Sequence, residues 1–275
     1  MGASIYLGKS LSAGTKGCNI VIASTTPSID PDAQAFITAA GITDPTQQSA
    51  INQLVLDLKG YSIWTKFKAI YPVVGGSASS HAVNLKTPGT FNLSFTNAWT
   101  HSSTGMTPNG TSAYADTSFN SSVNGLQDSQ HISYYSRTNS NGTEIEMGGI
   151  DASSKYTFIE ARTSGISYYG MNQSTPFISH SDSDSRAFYI SNRTASNVIN
   201  GWRNGVKTAT GTTASASSNV TYQLGAVNNL VVPSNKFYST KQCAFASIGD
   251  GLTDADAANL YTAIQAYQTA LSRNV

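Results

Sequence analysis

The sequence predicts a mainly β protein, an antiparallel two-sheet sandwich with a small N-terminal helical segment before it and a helix after it. Three observations carry that expectation. From Gly75 to Gly251, short runs rich in Tyr, Phe, Val, Ile and Thr are broken by Gly, Asn and Ser clusters, the pattern of many short strands joined by turns. Within this tract Asn204-Gly205 separates two alternating stretches, and that dipeptide supplies the positive φ angles of a two-residue type I′ hairpin. On either side of the tract the apolar spacing changes from two to three and four, and capping residues appear. Antiparallel strands of this kind hide one face by pairing two sheets.

Taken in order, residues 1–27 are rich in Gly, Ser and Thr with short apolar runs such as Asn19-Ile20-Val21-Ile22. They are expected to form an extended arm, with a first strand of the main domain as the alternative. Residues 28–74 are expected to be a short helical docking segment. Asp30-Pro31 opens its first helix with a side-chain acceptor and a proline at the first helical position, and Gly41 ends it. Asp44-Pro45 repeats the device, with Gln47 placed to complete a capping box. Ile51, Leu54, Val55 and Leu58 then form one apolar stripe before Gly60. Ile63 to Pro72 is aromatic and partly alternating, so it suits either a strand or a short helix. Residues 75–275 hold the sandwich and a final helix, which Thr253 caps and Asp254 and Asp256 favour electrostatically. Leu260, Tyr261, Ile264, Tyr267 and Leu271 make its apolar face, and Arg273 sits near its negative end.

Composition narrows the function classes. Only 11% of residues are charged and the net charge is +1, so no field exists to steer nucleic acid or an anionic membrane to the chain. Neither partner is expected. No stretch approaches the ~18 apolar residues of a membrane span, and the start lacks a basic segment followed by an apolar run. Synthesis in a cytoplasm without a signal peptide is the expectation. Cys18 and Cys243 show no metal-ligand spacing and are expected to be inert thiols.

The tract from Ile199 to Leu260 resembles the concanavalin-A/laminin-G-like jelly-roll family. Three landmarks occur in order: Trp202-Arg203-Asn204-Gly205-Val206-Lys207, then Tyr222-Gln223-Leu224-Gly225-Ala226, then Phe245 to Asp256 with its Gly-Asp-Gly-Leu-Thr-Asp passage into the last helix. Residues 32–75, together with that passage and Asn259-Leu260-Tyr261, are similar to virion-associated tail, fibre or capsid proteins of tailed bacteriophages. The resemblance implies a place on a virion surface, contacts with other virion proteins through the N-terminal arm and helices, and a homo-oligomer such as a trimer. It implies no catalytic residue.

Chemistry-bearing candidates are few. Glu144-Ile145-Glu146 resembles the carboxylate strand of one sandwich glycosidase family, but Gly148 and Gly149 stand where a further acid would be needed. These carboxylates are expected to be exposed strand residues, and no enzyme is expected. Asp182 and Asp184 are the candidates for a structural calcium, against a simple solvated turn; an EF-hand would need Gly and Glu where Ala187 and Arg193 stand. No other cofactor is implied. His81, His101, His131 and His180 share no metal-ligand spacing. Trp99, Tyr168 and Tyr169 are the candidates for stacking on sugar rings, with core packing as the default for aromatic residues. The expected function is a structural virion surface protein, a capsid decoration or tail-fibre component. Its alternative is a host-glycan adhesin, and a polysaccharide depolymerase stands third.

Overall fold

The computed structural model describes residues 28–275; the expected arm at 1–27, with Cys18, lies outside them. Five α-helices occur among the described residues, α1 (Pro31–Ala40), α2 (Pro45–Gly60), α3 (Ala78–Ala82), α4 (Ser121–Asn124) and α5 (Asp254–Ala270). The strands are β1 (Phe67–Tyr71), β2 (Ser94–Thr96), β3 (Trp99–Ser102), β4 (Gly105–Pro108), β5 (Tyr114–Asn120), β6 (Gln130–Ser136), β7 (Met147–Ile150) and β8 (Tyr156–Thr163). They continue with β9 (Ile166–Gln173), β10 (Ile178–Ser181), β11 (Ala187–Ala195), β12 (Val198–Arg203), β13 (Val206–Gly211), β14 (Thr221–Leu224), β15 (Val227–Asn229) and β16 (Cys243–Gly249).

The strands form two eight-stranded sheets. The first runs β13-β12-β11-β6-β16-β4-β3, with β1 also on β16, and the second runs β10-β9-β8-β7-β14-β5-β2, with β15 beside β7. All pairings are antiparallel except β15 with β7. The expected hairpin is present: Asn204 and Gly205 have φ of 50° and 75° and join β12 to β13, with Arg203 opposite Val206.

Strand parity distributes side chains between two cores. Tyr134, Tyr189, Ala246 and Ile248 of the first sheet meet Met147, Ile159, Tyr169, Met171 and Leu224 of the second in the sandwich interior. The alternate residues Tyr135, Phe188, Ile190 and Phe245 point the other way, into a second core shared with α1, α2 and α5. The molecule is therefore three layers deep: helices, first sheet, second sheet.

The helices share a core with the first sheet. Phe36, Ile51, Leu54, Leu58, Leu260 and Ile264 are all buried in one cluster with the first sheet, and β1 is hydrogen-bonded to β16. Residues 28–74 thus pack as a layer on the first sheet, and their apolar stripe is covered by this chain's own residues. Capping follows the sequence closely. The Asp30 carboxylate accepts from Asp32 N–H, Asp44 accepts from Gln47 N–H at 2.8 Å, and Thr253 and Asp256 form a reciprocal capping box. The expected Gln47 box is not completed, because its side-chain oxygen accepts instead from Gly75 N–H at 2.9 Å. Lys59, at the end of α2, pairs with Asp30 and Asp32 and fastens the two helices together. Arg273 lies past α5, buried, and donates to the carbonyls of Val73, Pro72 and Ala244 at 2.6, 2.8 and 3.0 Å.

Leu54→Ala is expected to cost about 2–5 kcal/mol of stability while chemical denaturation stays a single transition. A second transition for the helices alone would contradict the three-layer account.

Candidate functional site

Helices cover the outer face of the first sheet, whereas the outer face of the second carries a groove of about 240 Å³. Phe158, Ile145, Ile150 and Val227 form a small apolar cluster there, with Tyr156, Tyr168, Phe177 and Phe237 partly buried around it. The position of the floor follows from two glycines. Phe158 lies opposite Gly148 on one neighbouring strand and Gly170 on the other. A Cβ on Gly148, whose φ is +152°, would approach Thr157 O to 2.1 Å, and one on Gly170 would meet the Phe158 ring at 2.7 Å. Both gaps are therefore filled by the Phe158 side of the sheet, and substitution at either glycine would displace the floor.

Phe177 stands edge-on to this floor, its ring centroid 4.8 Å from those of both Phe158 and Tyr156 at interplanar angles of 90° and 68°. Edge-to-face contacts of this kind are favourable for aromatic quadrupoles. Phe237 reaches the groove from the loop before β16 with φ of +48°, a left-handed conformation that costs a bulky residue free energy. Its carbonyl accepts from Ile145 N–H at 2.9 Å, which holds the strained residue against the floor.

One carboxyl lines the groove. Glu160 shares a strand face with Tyr156 and Phe158 and lies opposite Tyr168. Burial among the rings raises its pKa to about 7, repulsion from Glu146 adds to the rise, and Lys241 only partly offsets it. Among the described residues the Glu160 side chain has no ion pair, and no lysine or arginine lines the groove.

The other acids are committed elsewhere. Glu144 and Glu146 both pair with Lys241 at 3.0 Å, and Glu146 and Lys241 are fully buried. Glu146 also accepts from Ala161 N–H and from the Ser239 hydroxyl. The expected exposure of this pair of carboxylates is thus corrected: Glu144 is half-buried, Glu146 is sealed, and the two share one lysine.

Of the three aromatic candidates, only Tyr168 is in the groove. Tyr169, its neighbour, points inward by strand parity and is fully buried, so it cannot stack on a ligand. Trp99 is on β3 of the other sheet; its indole N–H donates to Tyr114 O at 3.3 Å and its ring packs on Phe95 and over Gly225. Both acids proposed for calcium are paired with arginine. Asp182 is buried, pairs with Arg203 at 2.8 Å and accepts from the Tyr189 hydroxyl at 2.8 Å, and Asp184 pairs with Arg186 at 2.6 Å. Among the described residues no group of three or more His, Cys, Asp or Glu is placed to hold a metal. Two histidines do meet, with the Nδ1 atoms of His81 and His101 2.9 Å apart.

Sequence reasoning missed Tyr156, Phe158, Glu160, Phe177 and Phe237. A signal existed for the first three, since period-two alternation along Tyr156-Thr157-Phe158-Ile159-Glu160 puts them on one face. Phe177 and Phe237 lie outside the strands, where no periodicity applies.

No protein-family model and no curated protein matches the sequence. Several solved structures resemble it in fold. The binding domain of botulinum neurotoxin DC in complex with SialylT superimposes with a TM-score of 0.52 at 12% identity, covering 74% of this chain and 52% of that one. The same domain in complex with rat synaptotagmin II gives 0.50 at 11% identity over 74% and 52%. Domain 4 of an extracellular arabinanase from Geobacillus stearothermophilus, in complex with arabinotriose, gives 0.44 at 13% identity over 71% and 98%. The chain spans about half the length of the neurotoxin domains. At these identities the likeness is one of fold, and the class of protein it defines is a two-sheet β-sandwich domain.

The raised Glu160 pKa has a stability consequence with a definite sign. Folding favours its protonated form, so stability is undiminished below the ordinary glutamate pKa near 4.5 and falls as pH rises through about 7. Glu160→Gln is expected to match the parent at pH 4 and to exceed it at pH 8.5 by about 1 kcal/mol, allowing for solvent at the open side. Denaturation at the two pH values checks this.

Proposed function

We propose that this chain is a non-catalytic carbohydrate-binding module, presented to the host surface by a tailed-phage particle, and that its sugar sits in the groove on the second sheet. The observation that carries the reading is the set of rings, Tyr156, Phe158, Tyr168 and Phe177, gathered around the only carboxyl of that groove. Sugar rings have an apolar C–H face that stacks on aromatic surfaces, while a few polar groups fix orientation. Thr143, the two tyrosine hydroxyls and Glu160 are the polar groups on hand. The volume falls below the ~300 Å³ lower end for drug-sized pockets, which suits a terminal sugar better than a long chain.

Two points favour binding over hydrolysis. Glycosidases of the common type flank the scissile bond with two carboxyl groups, and here Glu144 and Glu146 are held by Lys241 while Glu160 stands alone in the groove. The groove, and not the shared sandwich fold, supports the reading, since one fold hosts many functions. The particle assignment rests on the resemblance in residues 32–75 and near the C-terminus. Detection of this chain by mass spectrometry in purified particles is its check.

Tyr168→Ala and Phe177→Ala are each expected to weaken binding of a recognised glycan about tenfold or more, Tyr168→Ala with the smaller change in melting temperature because Phe177 also packs edge-on against Tyr156 and Phe158. A glycan array followed by calorimetry measures this. Unchanged affinity in both variants would remove the groove from the account, and reducing sugar released by the parent protein would overturn the non-catalytic reading.

A further inference from the structure

Two glutamates lie close enough in this part of the second sheet to feel each other's charge, and the fold treats them differently. Glu146 is supplied with a cation, the buried Lys241 at 3.0 Å, and with two hydrogen-bond donors. Glu160 receives neither, although it too is largely withdrawn from water. An ionised carboxylate in such surroundings is unstable unless a positive charge reaches it. The surrounding rings do not provide one, but their π faces are negative and attract a cation placed over them. Among the described residues the lining of the groove therefore favours positive charge.

We infer that the sugar bound in the groove carries a free ammonium group, as a deacetylated hexosamine does, with that group over the Tyr156, Tyr168 and Phe177 rings and paired to the Glu160 carboxylate. The inference rests on the glycan reading above and narrows it. The ligand would supply the partner that the fold withholds from Glu160. Acidic sugars are disfavoured on the same grounds, because a carboxylate entering the groove would meet Glu160 and, among the described residues, no arginine or lysine lines the groove to separate the two. A neutral N-acetylated sugar could stack equally well but would leave the Glu160 charge uncompensated.

The test is calorimetry on the whole chain with fully deacetylated chitotriose, N-acetylated chitotriose and choline, each titrated into the parent protein, Glu160→Gln and Tyr168→Ala. The deacetylated trimer is expected to bind the parent at least tenfold tighter than its N-acetylated counterpart. Glu160→Gln should remove most of that difference, weakening the deacetylated trimer at least tenfold more than the N-acetylated one, and Tyr168→Ala should weaken both. Equal affinity for the two trimers, lost in Tyr168→Ala and indifferent to Glu160→Gln, would overturn the ammonium inference and leave the glycan reading standing. Binding of choline with neither trimer bound would overturn the amino-sugar inference and the glycan reading together. A Glu160→Gln melting curve at or above the parent's excludes misfolding as the cause of any loss.

Discussion

The burial of β6 and β16 on both faces governs the rest of the structure. Every residue of these two strands is buried, with Tyr134, Ala246 and Ile248 committed to the sandwich interior and Tyr135 and Phe245 to the opposite side. A sheet with two apolar faces needs two covers. The second sheet supplies one, and α1, α2 and α5 supply the other. Once the helices are used this way, the outer face of the second sheet is left toward solvent, and the aromatic residues there form a groove instead of a core. The same constraint explains why the chain's N-terminal helices and C-terminal helix, distant in sequence, share one cluster.

The low charge content shapes the interior as much as the surface. Buried charged groups are costly unless paired or fully hydrogen-bonded, and each of the deeply buried ones meets that condition locally. Arg193 donates to the carbonyls of Met171, Ser196 and Thr213 at 2.8, 2.9 and 2.9 Å. Arg273 does the same where α5 joins β1 and β16, Asp182 has Arg203, and Glu146 has Lys241. Against that background Glu160 is the exception, and it is also the group that faces the groove. A carboxyl with no ion pair at the edge of a groove suits a binding site, because its partner can come from outside.

Much of the architecture was legible in the sequence because its signals are local. Asn204-Gly205 needs only its own φ preferences to make a hairpin, and Asp30, Asp44 and Thr253 cap helices through contacts two or three residues away. The docking of the helices was not legible, since an apolar stripe such as Ile51, Leu54, Val55 and Leu58 shows that something covers it without saying what. The site was half legible. Adjacent tyrosines must face opposite ways in a strand, but which of Tyr168 and Tyr169 faces out depends on register. Phe177 and Phe237 reach the groove from loops, and the arginines that occupy Asp182 and Asp184 come partly from another strand, so tertiary structure alone brings them together.

The central claim, that a sugar is bound on the open face of the second sheet, is tested most directly by amide chemical-shift mapping with an oligosaccharide the protein recognises. The account requires the perturbed amides to cluster on β8, on β9 around Tyr168, and at Phe177 and Phe237. Perturbations confined to the helical layer or to the edge around Trp99, with the groove silent, would contradict it.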